Sequence, residues 1–155
     1  MIDQHIEIAL NRKITSGVFL LGLMSPSLAS ESRPGQFVMV RVTEGIDPLL
    51  RRPFSICGTT DGKIVLILYK IVGQGTEILA GKKAGETLSV MGPLGQGFNM
   101  PGKNEKAVLV AGGIGIAPLY YLAGALNNDQ MEFMSGFDTS VNIISPGEIT
   151  GRSIN

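Results

Sequence analysis

Short apolar runs recur at nearly even spacing through the first hundred residues. Ile6–Leu10, Val18–Gly22, Phe37–Val42, Lys63–Val72 and Glu86–Met91 are rich in Ile, Val, Leu and Phe, and turn-forming residues such as Ser25-Pro26-Ser27 and Pro34-Gly35 separate them. Asp61-Gly62 lies between two apolar runs and predicts a hairpin. With the extended segment Leu49–Gly58, this makes about six strands and no long helix, the pattern of a small closed antiparallel barrel over roughly residues 3–100. The one helical break predicted is Thr76–Ala80, directly after Gly73-Gln74-Gly75.

Beyond the polar linker Pro101–Lys106 the pattern changes. Ala107–Ala111 is a continuous apolar run, as expected of a strand buried on both faces. It leads into Gly112-Gly113-Ile114-Gly115-Ile116-Ala117-Pro118 and an apolar helical stretch from Leu119 to Leu126, and Met131–Phe137 reads as a second parallel strand. Strand, glycine loop and helix open a nucleotide-binding βαβ unit, with Pro118 suited to the first helical turn. Asp138–Asn155 holds no clear helix and no third strand, so this unit reads as incomplete.

Composition narrows the function classes. The 13 basic and 13 acidic side chains cancel, which argues against bulk attraction to nucleic acid or an anionic membrane. No stretch reaches the length of a membrane span, and the first residues lack the features of a signal peptide, so a cytoplasmic location is expected. Charged residues make up only 17% of the chain, leaving a rather apolar surface that a partner would cover. Cys57, the single cysteine, excludes an intrachain disulfide framework and any multi-thiolate site built from these residues. His5, the single histidine, reads as an exposed structural residue. Glycine, at 21 of 155, is over-represented and clusters at Gly73–Gly75, Gly92–Gly97 and Gly112–Gly115, where backbone turns tightly or approaches a ligand.

The candidate chemistry centres on Arg51-Arg52-Pro53-Phe54-Ser55. Pro53 pushes Arg52 into an extended conformation, so that a guanidinium, a ring and a hydroxyl project from a stiff strand start. Arg matches phosphate oxygens, Phe offers an aromatic face, and Ser both donates and accepts, a set that suits a flavin or nucleotide. The same residues also fit a solvated corner opening an ordinary barrel strand. Gly73-Gln74-Gly75, feeding a helix N-terminus, fits either a phosphate site or a plain turn capped by Thr76.

Four motifs occur in order: Arg51-Arg52-Pro53-Phe54-Ser55-Ile56; Leu68-Tyr69-Lys70 with Gly73-Gln74-Gly75-Thr76; Met91-Gly92-Pro93-Leu94-Gly95-Gln96-Gly97-Phe98; and Gly112-Gly113-Ile114-Gly115-Ile116-Ala117-Pro118-Leu119. Together, over residues 1–137, they resemble the ferredoxin-NADP reductase superfamily, and within it the electron-transfer subunits of NAD-linked dihydroorotate dehydrogenases. The resemblance implies a β + α/β fold, with a six-stranded antiparallel Greek-key flavin barrel (residues 1–100) followed by an incomplete Rossmann-like NAD-binding domain (residues 101–155). It implies that Arg52, Pro53, Phe54 and Ser55 bind FAD, with Arg52 on the pyrophosphate and Ser55 near the reactive ring nitrogen. Leu68, Tyr69 and Lys70 would line the flavin and its ribityl chain, Gly75 and Thr76 would hold phosphate, and Gly112, Gly113, Gly115 and Pro118 would form the loop for NAD(H).

The implied function is that of an FAD-dependent electron-transfer oxidoreductase subunit of pyrimidine biosynthesis. It would exchange electrons between NAD and a catalytic partner, an FMN-containing dihydroorotate dehydrogenase; the alternative is a flavin-binding or assembly module without turnover of its own. Family members carry a [2Fe-2S] cluster on a cysteine-rich segment, whose ligands this sequence lacks, so the chain reads as a truncated, frameshifted or naturally short form. Cys57, two residues past Ser55, is expected to be a buried inert thiol. Asp138 favours NAD over NADP, and the open edges of an incomplete parallel sheet invite self-association into a homo-oligomer.

Overall fold

A computed structural model of the chain describes residues 2–45, 48–126, 131–136 and 152–153. Strands β1 (Ile2–Thr15), β2 (Val18–Met24), β3 (Phe37–Arg41), β4 (Arg52–Thr60), β5 (Ile64–Lys70) and β6 (Thr87–Leu94) close into a barrel in the order β1-β2-β5-β4-β3-β6. Every neighbouring pair is antiparallel. β3, β4 and β5 follow one another directly and β6 returns to lie beside β3, which is a Greek key.

Alternation explains which residues fill the barrel. Val38 and Val40 on β3 point inward and are fully buried while the alternate residues Met39 and Arg41 are only partly covered, and Val65, Ile67 and Tyr69 play the inward part on β5. The β4–β5 hairpin turns at Asp61 and Gly62, both with positive φ (54° and 62°), the geometry of a type I′ turn.

Two sequence expectations for this part need correction. The segment after Ser25 is a helix, α1 (Pro26–Glu31), so that α2 (Gln74–Gly81) is one of two helical breaks in the barrel. Pro26 occupies the first helical positions, the Ser25 hydroxyl accepts from Leu28 N at 3.3 Å, and Leu28 and Ala29 are buried against the barrel core. Six residues are too few to show a 3.6-residue period, and Ser-Pro-Ser therefore reads as a turn. The last barrel strand also does not stop at Gly92-Pro93 but runs on to Leu94.

The second portion comprises β7 (Ala107–Gly112), a 3₁₀ turn at Gly113–Gly115, α3 (Ile116–Ala125) and β8 (Met131–Gly136), which pairs in parallel with β7 from Ala107↔Met131 to Gly112↔Gly136. A third strand exists, contrary to expectation: β9 (Arg152–Ser153) pairs in parallel with β8. Two residues carry no readable hydrophobic pattern. β7 is likewise not buried on both faces, because Leu109 and Ala111 are buried whereas Val108 and Val110 are 59% and 67% exposed. α3 packs on the Leu109 side, through Leu122, Ala123 and Leu126.

The two portions meet on the outside of the barrel. Cys57 and Leu68 lie on strands β4 and β5 and are buried against Ala111, Ile116 and Ala117. Tyr121 on α3 donates its hydroxyl to Ser32 O at 3.0 Å, tying the helix to the loop after α1.

Candidate functional site

A cavity of about 320 Å³ opens at this junction. Three barrel segments and one loop of the second portion line it: Arg52, Pro53, Phe54 and Ser55 from the start of β4; Leu68, Tyr69 and Lys70 from the end of β5; Val72 and Thr76 around the start of α2; and Ile114 and Ala117 beyond β7. The first and second of these motifs are neighbours because β4 and β5 are paired strands, with Ile56 opposite Ile67.

The basic pair divides its labour. Arg51 is structural: its guanidinium donates to Met39 O, Ser89 O and Ser89 Oγ and forms an ion pair with Asp3 at 3.1 Å. Arg52 faces the cavity and donates to Leu50 O at 2.6 Å, leaving most of its five donors without a partner among the described residues. Gly75 does not line the cavity but backs the arginine, since a Cβ there would stand 2.8 Å from Arg52 Nε.

Thr76 fixes the turn that leads into α2. Its hydroxyl accepts from Val72 N (2.9 Å) and Gly73 N (3.1 Å) and donates to Gly73 O (2.8 Å). That engages the hydroxyl fully, so the hydrogen-bonding capacity left at this end of α2 belongs to the first amides of the helix, Gln74 and Gly75, which have no intrahelical acceptor.

The aromatic wall is set deeper than the sequence suggests. Phe54 is only 9% exposed and belongs chiefly to the barrel core, where it packs on Tyr69 with ring centroids 5.7 Å apart. Tyr69 also stacks on Phe19 at 5.6 Å, and its hydroxyl donates to Asn11 Oδ1 at 3.0 Å. Burial pushes the Tyr69 phenol up to about 12. The Ser55 hydroxyl has no partner among the described residues.

The glycines of the nucleotide loop are not among the residues that line the cavity. Gly112, Gly113 and Gly115 are exposed, and a Cβ at any of them would meet open space. Gly113 alone requires glycine on backbone grounds, with φ at 54°. Pro118 sits half-buried in the first turn of α3. The cavity instead receives Ile114 and Ala117 from this loop, and with Val72 these are lining residues that sequence reasoning did not select. All three lie inside or directly beside selected motifs. Cys57 is buried, as expected, and desolvation pushes its thiol up to about 12. His5 is exposed, with Nε2 3.5 Å from Glu44 Oε1. Asp138 lies outside the described residues.

The groups present fit a flavin nucleotide. Arg52 and Lys70 bring cationic donors to the cavity wall, the amides of Gln74 and Gly75 stand beside the lining residue Thr76, and Leu68, Phe54, Tyr69, Ile114 and Ala117 supply apolar lining. Among the described residues no cluster of His, Cys, Asp or Glu is placed to hold a metal ion, and no helix is long and apolar enough to cross a membrane.

A closed Greek-key barrel joined to a parallel β-turn-α-β unit, with a cavity of this character between them, defines a reductase-type flavin and pyridine-nucleotide fold, and the chain belongs to the ferredoxin-NADP reductase superfamily. Curated relatives include electron transfer subunits of the NAD(+)-linked dihydroorotate dehydrogenase B. That of Clostridium acetobutylicum is 43% identical over 129 residues, covering 83% of this chain and 50% of the relative, and that of Desulforamulus reducens is 45% identical over 116 residues, covering 74% and 44%. The chain thus spans about half the length of the curated relatives it matches. Among solved structures, the NADH-dependent reduced ferredoxin-NADP oxidoreductase, described in connection with flavin-based electron bifurcation, superposes with a TM-score of 0.73 at 35% identity, over 84% of this chain and 47% of that one. The ferredoxin reductase of carbazole 1,9a-dioxygenase shares the fold at a TM-score of 0.80, with 20% identity, over 99% of this chain and 50% of that one. No protein-family model matches the chain.

Proposed function

We propose that the chain binds FAD in the junction cavity and serves as the flavin-bearing part of an electron-transfer subunit, passing electrons between NAD(H) and a partner dehydrogenase. The observation that carries this reading is the convergence of Arg52–Ser55, Leu68–Lys70 and Thr76 on one cavity from separate strands and a helix start. When bound, the flavin supplies the hydride and single-electron chemistry, so that the protein's contribution is binding, orientation and electrostatics. Arg52 and the first amides of α2 would hold the pyrophosphate, Leu68 and Tyr69 would line the ring, and Ser55 would offer its hydroxyl to a ring nitrogen. Gly112, Gly113, Gly115 and Pro118 form the side from which NAD(H) approaches, residues 1–100 being the flavin domain and 101–155 the nucleotide portion.

The relatives' name, electron transfer subunit of dihydroorotate dehydrogenase B, supports a catalytic dehydrogenase subunit as the partner; we propose further that this partner contains FMN and acts in cytoplasmic pyrimidine synthesis. A [2Fe-2S] centre on the path between them needs thiolates from elsewhere, since Cys57 is the only cysteine of these 155 residues.

The test is the absorption spectrum of the purified chain, identification of any released flavin, and anaerobic addition of NADH. Bound FAD that bleaches supports electron transfer. FAD that stays oxidised reduces the chain to a flavin-binding or assembly module, and failure to take up FAD on reconstitution sinks the reading.

A further inference from the structure

We propose that Asn11, which does not line the cavity, is the positioning residue that holds the cavity's aromatic wall and its anion-binding helix in register; this rests on the flavin reading of the cavity. Asparagine is depleted in strands, yet Asn11 lies within β1. A register shift between Ile8 and Leu10 sets its direction. Ile8 is opposite Leu23 and Asn11 is opposite Leu21, and both leucines are fully buried in the barrel core. Residues directly opposite on antiparallel strands share a face, so the irregularity moves the inward position from Leu10 to Asn11.

Once inside, the carboxamide uses both of its donors and one acceptor position on two parts of the site. Nδ2 donates to Leu79 O at 2.8 Å and Lys82 O at 2.9 Å, and Oδ1 accepts from the Tyr69 hydroxyl at 3.0 Å. The orientation of the amide follows from the chemistry, because two carbonyls can be satisfied only by the NH₂ end. Leu79 and Lys82 stand at the C-terminal end of α2, where Leu79 O also accepts from the C-cap amide Lys82 N at 3.1 Å, so Asn11 adds to the cap that closes the helix. The opposite end of the same helix is the Gly73–Thr76 turn beside Arg52, and Tyr69 is part of the cavity wall. One amide from a distant strand therefore fixes both the ring side and the phosphate side of the site.

Asn11→Ala, Asn11→Asp and Tyr69→Phe separate the two connections in the full chain. Asn11→Asp keeps an acceptor for Tyr69 and removes both donors to α2, whereas Tyr69→Phe removes only the tyrosine connection. The FAD dissociation constant and the visible spectrum of the bound flavin are measured well below the melting temperature, and hydrogen exchange of α2 is measured without flavin. Asn11→Ala is expected to weaken FAD binding about tenfold, and Tyr69→Phe about threefold with a shifted flavin band, from the loss of neutral hydrogen bonds. Asn11→Ala and Asn11→Asp should both speed exchange across 74–81 while the barrel strands stay protected. Folded Asn11→Ala with unaltered FAD affinity and unaltered α2 exchange overturns the proposal. Should that variant not fold, Tyr69→Phe with wild-type affinity and spectrum overturns it instead. A wild-type chain that binds no FAD overturns the flavin reading itself, and is told apart because it appears before any substitution is made.

Discussion

A Cβ on Gly75 would stand 2.8 Å from Nε of Arg52, so the glycine-rich turn and the arginine share the cavity's edge only because residue 75 has no side chain. The displaced group would be the end of a flexible side chain, and the cost would therefore fall on the direction of the guanidinium more than on the fold. Alanine is also favoured over glycine in a helix by up to about 1 kcal/mol. Gly75→Ala is predicted to leave the chain as stable as before or slightly more so, while FAD affinity falls severalfold. Urea denaturation together with titration calorimetry would show the two effects moving in opposite directions; a parallel fall in both would contradict the assignment.

The neighbouring arginines should respond in opposite ways. Arg52→Ala removes a cation facing the cavity and is predicted to weaken FAD binding by about 1.5–3 kcal/mol with little loss of stability. Arg51→Ala strips Met39 O, Ser89 O, Ser89 Oγ and Asp3 of their shared donor. It should destabilise the barrel by about 1–3 kcal/mol and leave the affinity of the folded fraction unchanged. Paired melting and binding curves for the two variants decide this.

Raising the pH should weaken the fold. Burial holds the Cys57 thiol and the Tyr69 phenol protonated until about 12, and raises Tyr120 as well, with a further contribution from Cys57. In the unfolded chain a thiol loses its proton near about 8.5 and a phenol near about 10. Between those values and 12 the unfolded state binds fewer protons than the folded one, so stability is complete below about pH 8.5 and declines as pH rises towards 12. Urea midpoints from pH 7 to 11 would trace the decline, and Cys57→Ala should make its first part shallower. The native thiol should also resist alkylation at pH 8 and react once the chain unfolds.

The hydroxyl of Tyr121, 3.0 Å from Ser32 O, is a polar tie between α3 and the barrel side of the junction. Tyr121→Phe is predicted to cost about 1 kcal/mol and to raise hydrogen exchange in 116–125 more than in the barrel strands. Uniform change across the chain would mean that the junction and the barrel open together.

The number of barrel strands is legible in the chain because evenly spaced apolar runs, with Asp61-Gly62 and the proline turns between them, are a local signal, whereas their spatial order is not. The motifs Arg52–Ser55, Leu68–Lys70 and Gly73–Thr76 are legible only as an ordered set, through their resemblance to the ferredoxin-NADP reductase superfamily, because each alone also fits an ordinary strand start or a capped turn. Tertiary structure decided what those residues do relative to one another. It turned Arg51 into a brace and Arg52 towards the cavity, drew Phe54 into the core, and closed the Thr76 hydroxyl on its own turn. It also brought in Ile114 and Ala117 across the junction and Asn11 from 58 residues before Tyr69 in the chain. These placements depend on strand register and on one irregularity in β1, where a shift of a single residue exchanges the inward and outward faces, and no local pattern of residues records that choice.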